Sequence, residues 1–289
     1  MMDDARPTLG SLFAGIGGFD LGFEWAGFRT AWQVEINSIH QQVLRAHFPH
    51  AKLFSDVRAC GSRNLAPVDV LTAGFPCQDI SVMGASRKDK TQPNGLAGSR
   101  SGLFQEVIRI AREIQPAWLV LENVPNLLAI NDSRDLQTVL QALADSGYVG
   151  FWRVLDAQYF GVPQGRRRLF VVAGLGRYPP LELLADASPV ESIPRSAWAQ
   201  QQPCLADGYP AYTLLATSAR ARISLGCENL VCHAGRRDAM VERARTSQAN
   251  GIPLGLDDYH WYSSFAAGNA VSPLIAEWIG RHLLRGIAA

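Results

Sequence analysis

Short apolar runs alternate along this chain with segments whose apolar positions recur every three to four residues. Runs of the first kind cover 8–13, 30–34, 68–72, 118–121, 152–155 and 169–173, and each predicts a strand. The second kind predicts helices with visible ends. Asn37 caps one that Pro49 stops. Ser101 caps another, with Phe104, Val107, Ile108, Ala111 and Ile114 on one face and Pro116 beyond it. Ser133 caps a third, with Leu136, Val139, Leu140 and Leu143 inward and Gly147 past its end. Ser272-Pro273 opens a last helix that buries Leu274, Ile275, Trp278, Ile279 and Leu283. Strands alternating with helices predict an α/β fold with a mainly parallel sheet.

From about residue 175 the periodicity fades and prolines punctuate the chain, from Pro179-Pro180 to Pro210. This predicts two domains. Residues 1–174 and 264–289 form the larger, and the last helix returns to it; residues 175–263 form the smaller.

Ligands of an open parallel sheet bind beyond the carboxyl ends of its strands, and the unusual residues of this chain cluster there. The first strand runs into Phe13-Ala14-Gly15-Ile16-Gly17-Gly18, a turn that lets a ligand approach backbone. The dinucleotide fingerprint would need a third glycine where Asp20 stands, so a smaller nucleoside-like cofactor is favoured over a nicotinamide. Glu35, 18 residues after Gly17, is placed to accept from ribose hydroxyls. Asp56, before Val57, is placed to accept from an adenine amino group. Gly74-Phe75-Pro76-Cys77-Gln78 offers a nucleophile at a strand end. The alternative for Cys77 is a small buried apolar side chain, the reading kept for Cys60, Cys204, Cys227 and Cys232. Cys227, Cys232 and His233 lack a second ligand pair, so no metal site is expected. Glu122 leaves a buried strand, where a carboxylate is costly without a task. Gln164-Gly165-Arg166-Arg167-Arg168 suits a phosphate or a carbonyl.

Composition narrows the class. The 289 residues are 47% apolar and 18% charged, which excludes a disordered chain. No apolar run reaches the roughly 18 residues of a membrane span. A polar, acidic start and five scattered cysteines predict a cytoplasmic protein with reduced thiols. The net charge of +1 excludes nucleic-acid binding by bulk charge, but not by a local patch. Residues 84–100 are such a patch: Arg87, Lys88, Lys90 and Arg100 stand against Asp89.

Phe-Ala-Gly-Ile-Gly-Gly (13–18), Gly-Phe-Pro-Cys-Gln (74–78) with Ser81, Glu-Asn-Val (122–124), Gln-Gly-Arg-Arg-Arg (164–168) and Gly-Asn-Ala-Val (268–271) occur in one order. In these motifs the sequence resembles the DNA (cytosine-5) methyltransferase family. The resemblance implies a Rossmann-like S-adenosylmethionine-dependent methyltransferase sheet with a small target-recognition domain, and duplex DNA in the cleft between them. It implies S-adenosyl-L-methionine as cofactor, in a pocket of Phe13, Gly15, Gly17, Glu35, Ile36, Asp56, Val57, Pro76, Leu103, Asn269 and Val271. It makes Cys77 the nucleophile and Glu122 the donor to cytosine N3. Arg168 would hold the cytosine carbonyl, and Arg166 would order the site. Ser81, Arg87, Lys88, Lys90 and Gln164 would face DNA. A cognate restriction endonuclease is a candidate partner, and a nucleoid-associated location in the cytoplasm follows. The match fails over 175–263: Tyr209-Pro210-Ala211-Tyr212-Thr213-Leu214 keeps part of the family's ninth motif without its arginine. Tyr259, Trp261 and Tyr262 are expected at the domain joint rather than against bases. Two competing readings are a tRNA cytosine methyltransferase on the same scaffold and a non-catalytic partner of another methyltransferase. The intact Cys77, Glu122, Gln164 and Arg168 argue against the second.

Overall fold

A computed structural model describes residues 5–75, 102–160, 164–185, 211–212 and 270–288. Its sheet has seven strands: β1 (Thr8–Leu12), β2 (Arg29–Val34), β3 (Lys52–Phe54), β4 (Val70–Gly74), β5 (Trp118–Asn123), β6 (Tyr148–Asp156) and β8 (Arg167–Leu175). Their order is β3-β2-β1-β4-β5-β8-β6. The first five are mutually parallel; β8 runs antiparallel to both β5 and β6. A second, two-stranded ladder joins β7 (Gln164–Gly165) to β9 (Ala211–Tyr212). The helices are α1 (Gly18–Ala26), α2 (Ser38–His47), α3 (Leu103–Ile114), α4 (Arg134–Ala144), the single turn α5 (Glu182–Ala185) and α6 (Pro273–Ala288).

Two-residue alternation assigns the faces. Leu71, Ala73, Leu119, Leu121, Leu169, Val171 and Ala173 point into one core, which α3 closes with Phe104, Val107, Ile108 and Ala111, and α4 with Leu136, Val139 and Leu143. Val70, Trp118, Val120, Phe170 and Val172 point to the other side. There α1 contributes Phe19 and Phe23, and α6 contributes Ile275, Trp278, Ile279 and Leu283. The last helix therefore does return to the sheet. Glu122 follows the phase of Trp118 and Val120, which sends its side chain toward the α1 and α6 side.

The helix ends correct two expectations. Asn37 caps α2 as expected, accepting from the N–H groups of Ile39 and His40. Two serines expected to do the same do not. Ser133 precedes α4 in a left-handed conformation (φ 66°), and its hydroxyl donates back to Leu128 O at 2.6 Å. The Ser272 hydroxyl is buried without a hydrogen bond. At these two ends the backbone path, not a side-chain cap, sets the start. Helix α3 is preceded by Gly102, and Ser101, its expected cap, lies outside the described residues.

α1 and α6 approach backbone to backbone because Gly18 and Gly22 face α6. A Cβ on Gly18 would overlap the carbonyl of Val271, and one on Gly22 would overlap Pro273 O and lie 2.6 Å from Ala276 Cβ. Gly22→Ala is therefore expected to destabilise the fold by about 1–3 kcal/mol, the usual cost of overpacking. Urea unfolding of the variant checks this, and an unchanged midpoint would show that α6 yields without strain.

Among the described residues no helix is long and apolar enough to cross a membrane.

Candidate active site

The carboxyl ends of β1, β2, β4 and β5 meet along one edge. After β1 the chain turns sharply: Phe13 has φ 54°, Gly15 φ 58° and Gly17 φ 88°. Phe13 holds this conformation at a cost of order 1 kcal/mol or more, a strain that tends to mark functional turns. Glu35 locks the turn. Its Oε2 accepts from Gly15 N–H at 2.8 Å and its Oε1 from Asn37 N–H at 2.8 Å. Gln41 Nε2 donates to the carbonyl of Glu35 at 2.7 Å, and His40 Nδ1 stands 3.5 Å from Oε1. Each carboxylate oxygen keeps acceptor capacity after one bond, so a ribose diol can still be held.

Asp56 follows β3 and caps a 3₁₀ turn, Val57–Ala59. Its Oδ1 accepts from Arg58 N–H at 3.0 Å and Arg58 Nε at 3.1 Å. Those bonds, the backbone one foremost, hold its carboxyl below the ordinary aspartate range. Val57 is buried, whereas Ile36 is 70% exposed beside these acids. Gly15 offers open space where a side chain would be. Leu103 is half-buried at the start of α3, and Val271 is buried where the chain enters α6. Two acceptors, an exposed branched apolar side chain and an open glycine turn fit the adenosine half of S-adenosylmethionine.

The second group of residues surrounds Glu122. Glu122 is 8% exposed and stands above Gly74, whose Cβ would lie 3.6 Å from Oε2. Arg168 Nε pairs with Oε1 at 3.0 Å. Burial pushes the Glu122 carboxyl above the ordinary glutamate range, while the charges of Arg168 and Arg166 work against the rise. A carboxyl kept protonated more readily than in water can donate a hydrogen bond. Arg166 is 3% exposed, and its Nη2 donates to Ala270 O at 2.7 Å. Its backbone N–H donates to Asp156 Oδ1 at 2.8 Å, fixing the start of β8 against the end of β6.

Thus Glu122, Arg166 and Arg168 form one cluster, and Phe13, Gly15, Gly17, Glu35, Ile36, Asp56 and Val57 line the adjoining edge. Pro76, Cys77, Ser81, Arg87, Lys88, Lys90 and Asn269 lie outside the described residues, as do Tyr259, Trp261 and Tyr262 and all of 175–263 except 175–185 and 211–212. Gln164 is described only in its backbone, paired with Ala211. Cys60 is a buried apolar thiol, as expected, donating to Asp56 O at 3.3 Å. Among the described residues no cluster of His, Cys, Asp and Glu could hold a metal ion.

Asn123 is a site residue to which sequence reasoning gave no role. Its Nδ2 donates to Phe75 O at 3.3 Å, and its Oδ1 accepts from Val124 N–H at 2.9 Å. It fixes the backbone two residues before Cys77. Its place in Glu-Asn-Val was the available signal.

Comparisons with known proteins identify the family. The sequence profile of the family described as C-5 cytosine-specific DNA methylase matches residues 8–214. The Type II methyltransferase M2.BsuMI of Bacillus subtilis is 35% identical over 173 residues, 58% of this chain and 42% of that protein. The Type II methyltransferase M.Eco47II of Escherichia coli is 40% identical over 171 residues, 57% of this chain and 39% of that protein. The chain therefore matches about two fifths of the length of these relatives. Among solved structures, the Dnmt2 methyltransferase of S. pombe superposes with a TM-score of 0.67 at 14% identity, over 97% of this chain and 99% of that one. At that identity the likeness shows the shared Rossmann-like methyltransferase fold. The profile spans well over half the sequence, and the chain belongs to the C-5 cytosine-specific DNA methylase family.

Proposed function

We propose that this chain methylates C5 of cytosine in duplex DNA, using S-adenosyl-L-methionine and a covalent adduct to Cys77. The observation that carries the reading is Glu122: a buried carboxyl with raised proton affinity, paired with Arg168, on the strand beside the one that leads into Pro76-Cys77. Cytosine C5 is a poor nucleophile. Addition of the Cys77 thiolate to C6 forms an S–C6 bond and moves the ring electrons toward N3. Glu122 delivers a proton there, leaving a neutral enamine whose C5 is nucleophilic. The cofactor, when bound, supplies an electrophilic methyl group. After methylation a base removes the C5 proton, the S–C6 bond breaks so that Cys77 leaves as thiolate, and N3 returns its proton to Glu122. Arg168 holds Glu122 and the cytosine carbonyl; Arg166 holds the segment that enters α6. These atoms are inaccessible inside a duplex, so the base is flipped out. Ser81, Arg87, Lys88, Lys90 and Gln164 are the proposed DNA contacts. Residues 1–174 and 264–289 are proposed as the catalytic domain, and 175–263 as the target reader. The Type II names of the relatives favour a restriction-modification role, with a cognate endonuclease as partner and the nucleoid as location.

The test is cytosine-conversion sequencing after expression in a host without cytosine methylation. Protected cytosines in one short recurring context support the reading and name the target. Full conversion of DNA alongside protected tRNA would move the substrate to RNA, and full conversion of both would overturn the proposal.

A further inference from the structure

The turn that carries Asp56 and Val57 is held by side chains from outside it. Arg109, on α3, donates through Nη2 to Cys60 O at 2.8 Å and to Val57 O at 3.2 Å. The same guanidinium is gripped from both sides along its own helix. Glu106 Oε2 accepts from Nε at 2.9 Å and Nη2 at 2.6 Å, and Glu113 Oε1 accepts from Nη1 at 2.8 Å. Glu113 reaches the turn as well, with Oε2 accepting from Ser62 N–H at 2.8 Å. That bond, together with Arg109, holds its carboxyl below the ordinary glutamate range. Asn64 Nδ2 donates to Ala59 O at 2.8 Å, and the Cys60 thiol donates to Asp56 O. The carbonyls of residues 56, 57, 59 and 60 thus each receive a side-chain donor.

Arg58 and Ala59 of this turn face solvent, while Val57 and Cys60, whose carbonyls Arg109 reaches, are buried. Satisfying those carbonyls from α3 also ties the turn to the helix. With Oδ1 of Asp56 committed to Arg58, the orientation of the turn decides where Oδ2 points.

We propose that Arg109, locked by Glu106 and Glu113, is a positioning residue that aims Asp56 at the adenine amino group of the cofactor. The proposal rests on the cofactor reading above. Arg109 touches no reacting atom. It transmits the position of α3, whose first residue is Leu103, to the adenine end of the same pocket. A second sphere of this kind turns a mobile acceptor into a preorganised one.

The prediction concerns discrimination as well as affinity. An aimed carboxylate accepts from the adenine amino group and repels the carbonyl that replaces it in hypoxanthine. Calorimetry would compare S-adenosylhomocysteine with S-inosylhomocysteine, on wild type and on Arg109→Met. We expect S-adenosylhomocysteine to bind about tenfold more weakly to the variant, with S-inosylhomocysteine little changed, so that the selectivity ratio collapses. The KM for S-adenosylmethionine rises, while kcat at saturating cofactor stays within twofold. A wild-type selectivity ratio in the variant overturns the proposal. Should Arg109→Met fail to fold, Glu113→Gln carries the same measurement, with a smaller fall in the ratio expected and no fall overturning it. Wild-type protein that binds neither compound would instead overturn the cofactor reading.

Discussion

Glu122→Gln is expected to lower methyl transfer by about 10²–10⁴-fold, the range lost with a positioned general acid. Glutamine keeps the shape of Glu122 and offers its carbonyl to Arg168, so the 3.0 Å contact survives in form. What it cannot do is give up a proton to N3. The pH profile separates this loss from a structural one. In the proposed mechanism Glu122 acts while protonated, and burial raises its proton affinity, so the rate is expected to fall as rising pH removes that proton. In the glutamine variant the alkaline fall disappears and the rate stays uniformly low. Cys77→Ala differs in kind: it stops transfer altogether, and it forms no adduct with DNA containing 5-fluorocytosine, which Glu122→Gln still traps slowly. A glutamine variant with wild-type rate and an unchanged alkaline limb would remove Glu122 from its role.

The second large effect is on stability. Asp20 lies fully buried in the first turn of α1, beneath the glycine turn, and neither oxygen has a hydrogen bond of ordinary geometry. Burial raises its pKa from 3.8 to about 7, with Gln33 and Ser11 close enough to moderate the rise. A raised carboxyl pKa favours folding only while the group is protonated. Stability is therefore fully present below the unfolded pKa and is lost as pH rises from about 4 to 7, by up to about 4 kcal/mol at 1.36 kcal/mol per unit. Asp20→Asn cannot ionise. Its advantage over wild type should be near zero at pH 4, grow through pH 5 and 6, and level off above pH 7 at about 2–4 kcal/mol. Urea unfolding at pH 4.5 and 8 measures the difference. The same advantage at both would mean that Asp20 does not titrate across this window.

Asp20 also shows where sequence reasoning stopped short. Its identity spoke against a dinucleotide fingerprint, but its burial was not visible. The first turn of a helix is usually a place where an aspartate meets water. The strand ends were legible because their runs are apolar on both faces and stop at glycine, proline or an acid. Glu35 and Glu122 sit at or beside those stops, which is why their neighbourhood was predictable, whereas Asp56 follows a three-residue, partly exposed strand that carries no such run. The antiparallel return of β8 was not predictable, since strand direction leaves no mark on a buried apolar run. The serine caps misled for a related reason: a serine before an apolar repeat marks a boundary, whether or not its hydroxyl points at the helix. Arg109 and Asn123 escaped because the distant groups they reach, the carbonyls of Val57, Cys60 and Phe75, carry no residue identity. Both become legible once the sheet order sets α3 beside the turn after β3, and β4 beside β5.

Two contacts at the start of β8 carry a further consequence. Gly165 pairs with Tyr212, and the next residue, Arg166, donates to Ala270. Tyr212 and Ala270, far apart in sequence, are thus both fastened to consecutive residues ahead of β8. Arg166 stands two residues before Arg168, whose guanidinium pairs with Glu122, so the entrance to α6 and the buried acid share one short piece of backbone.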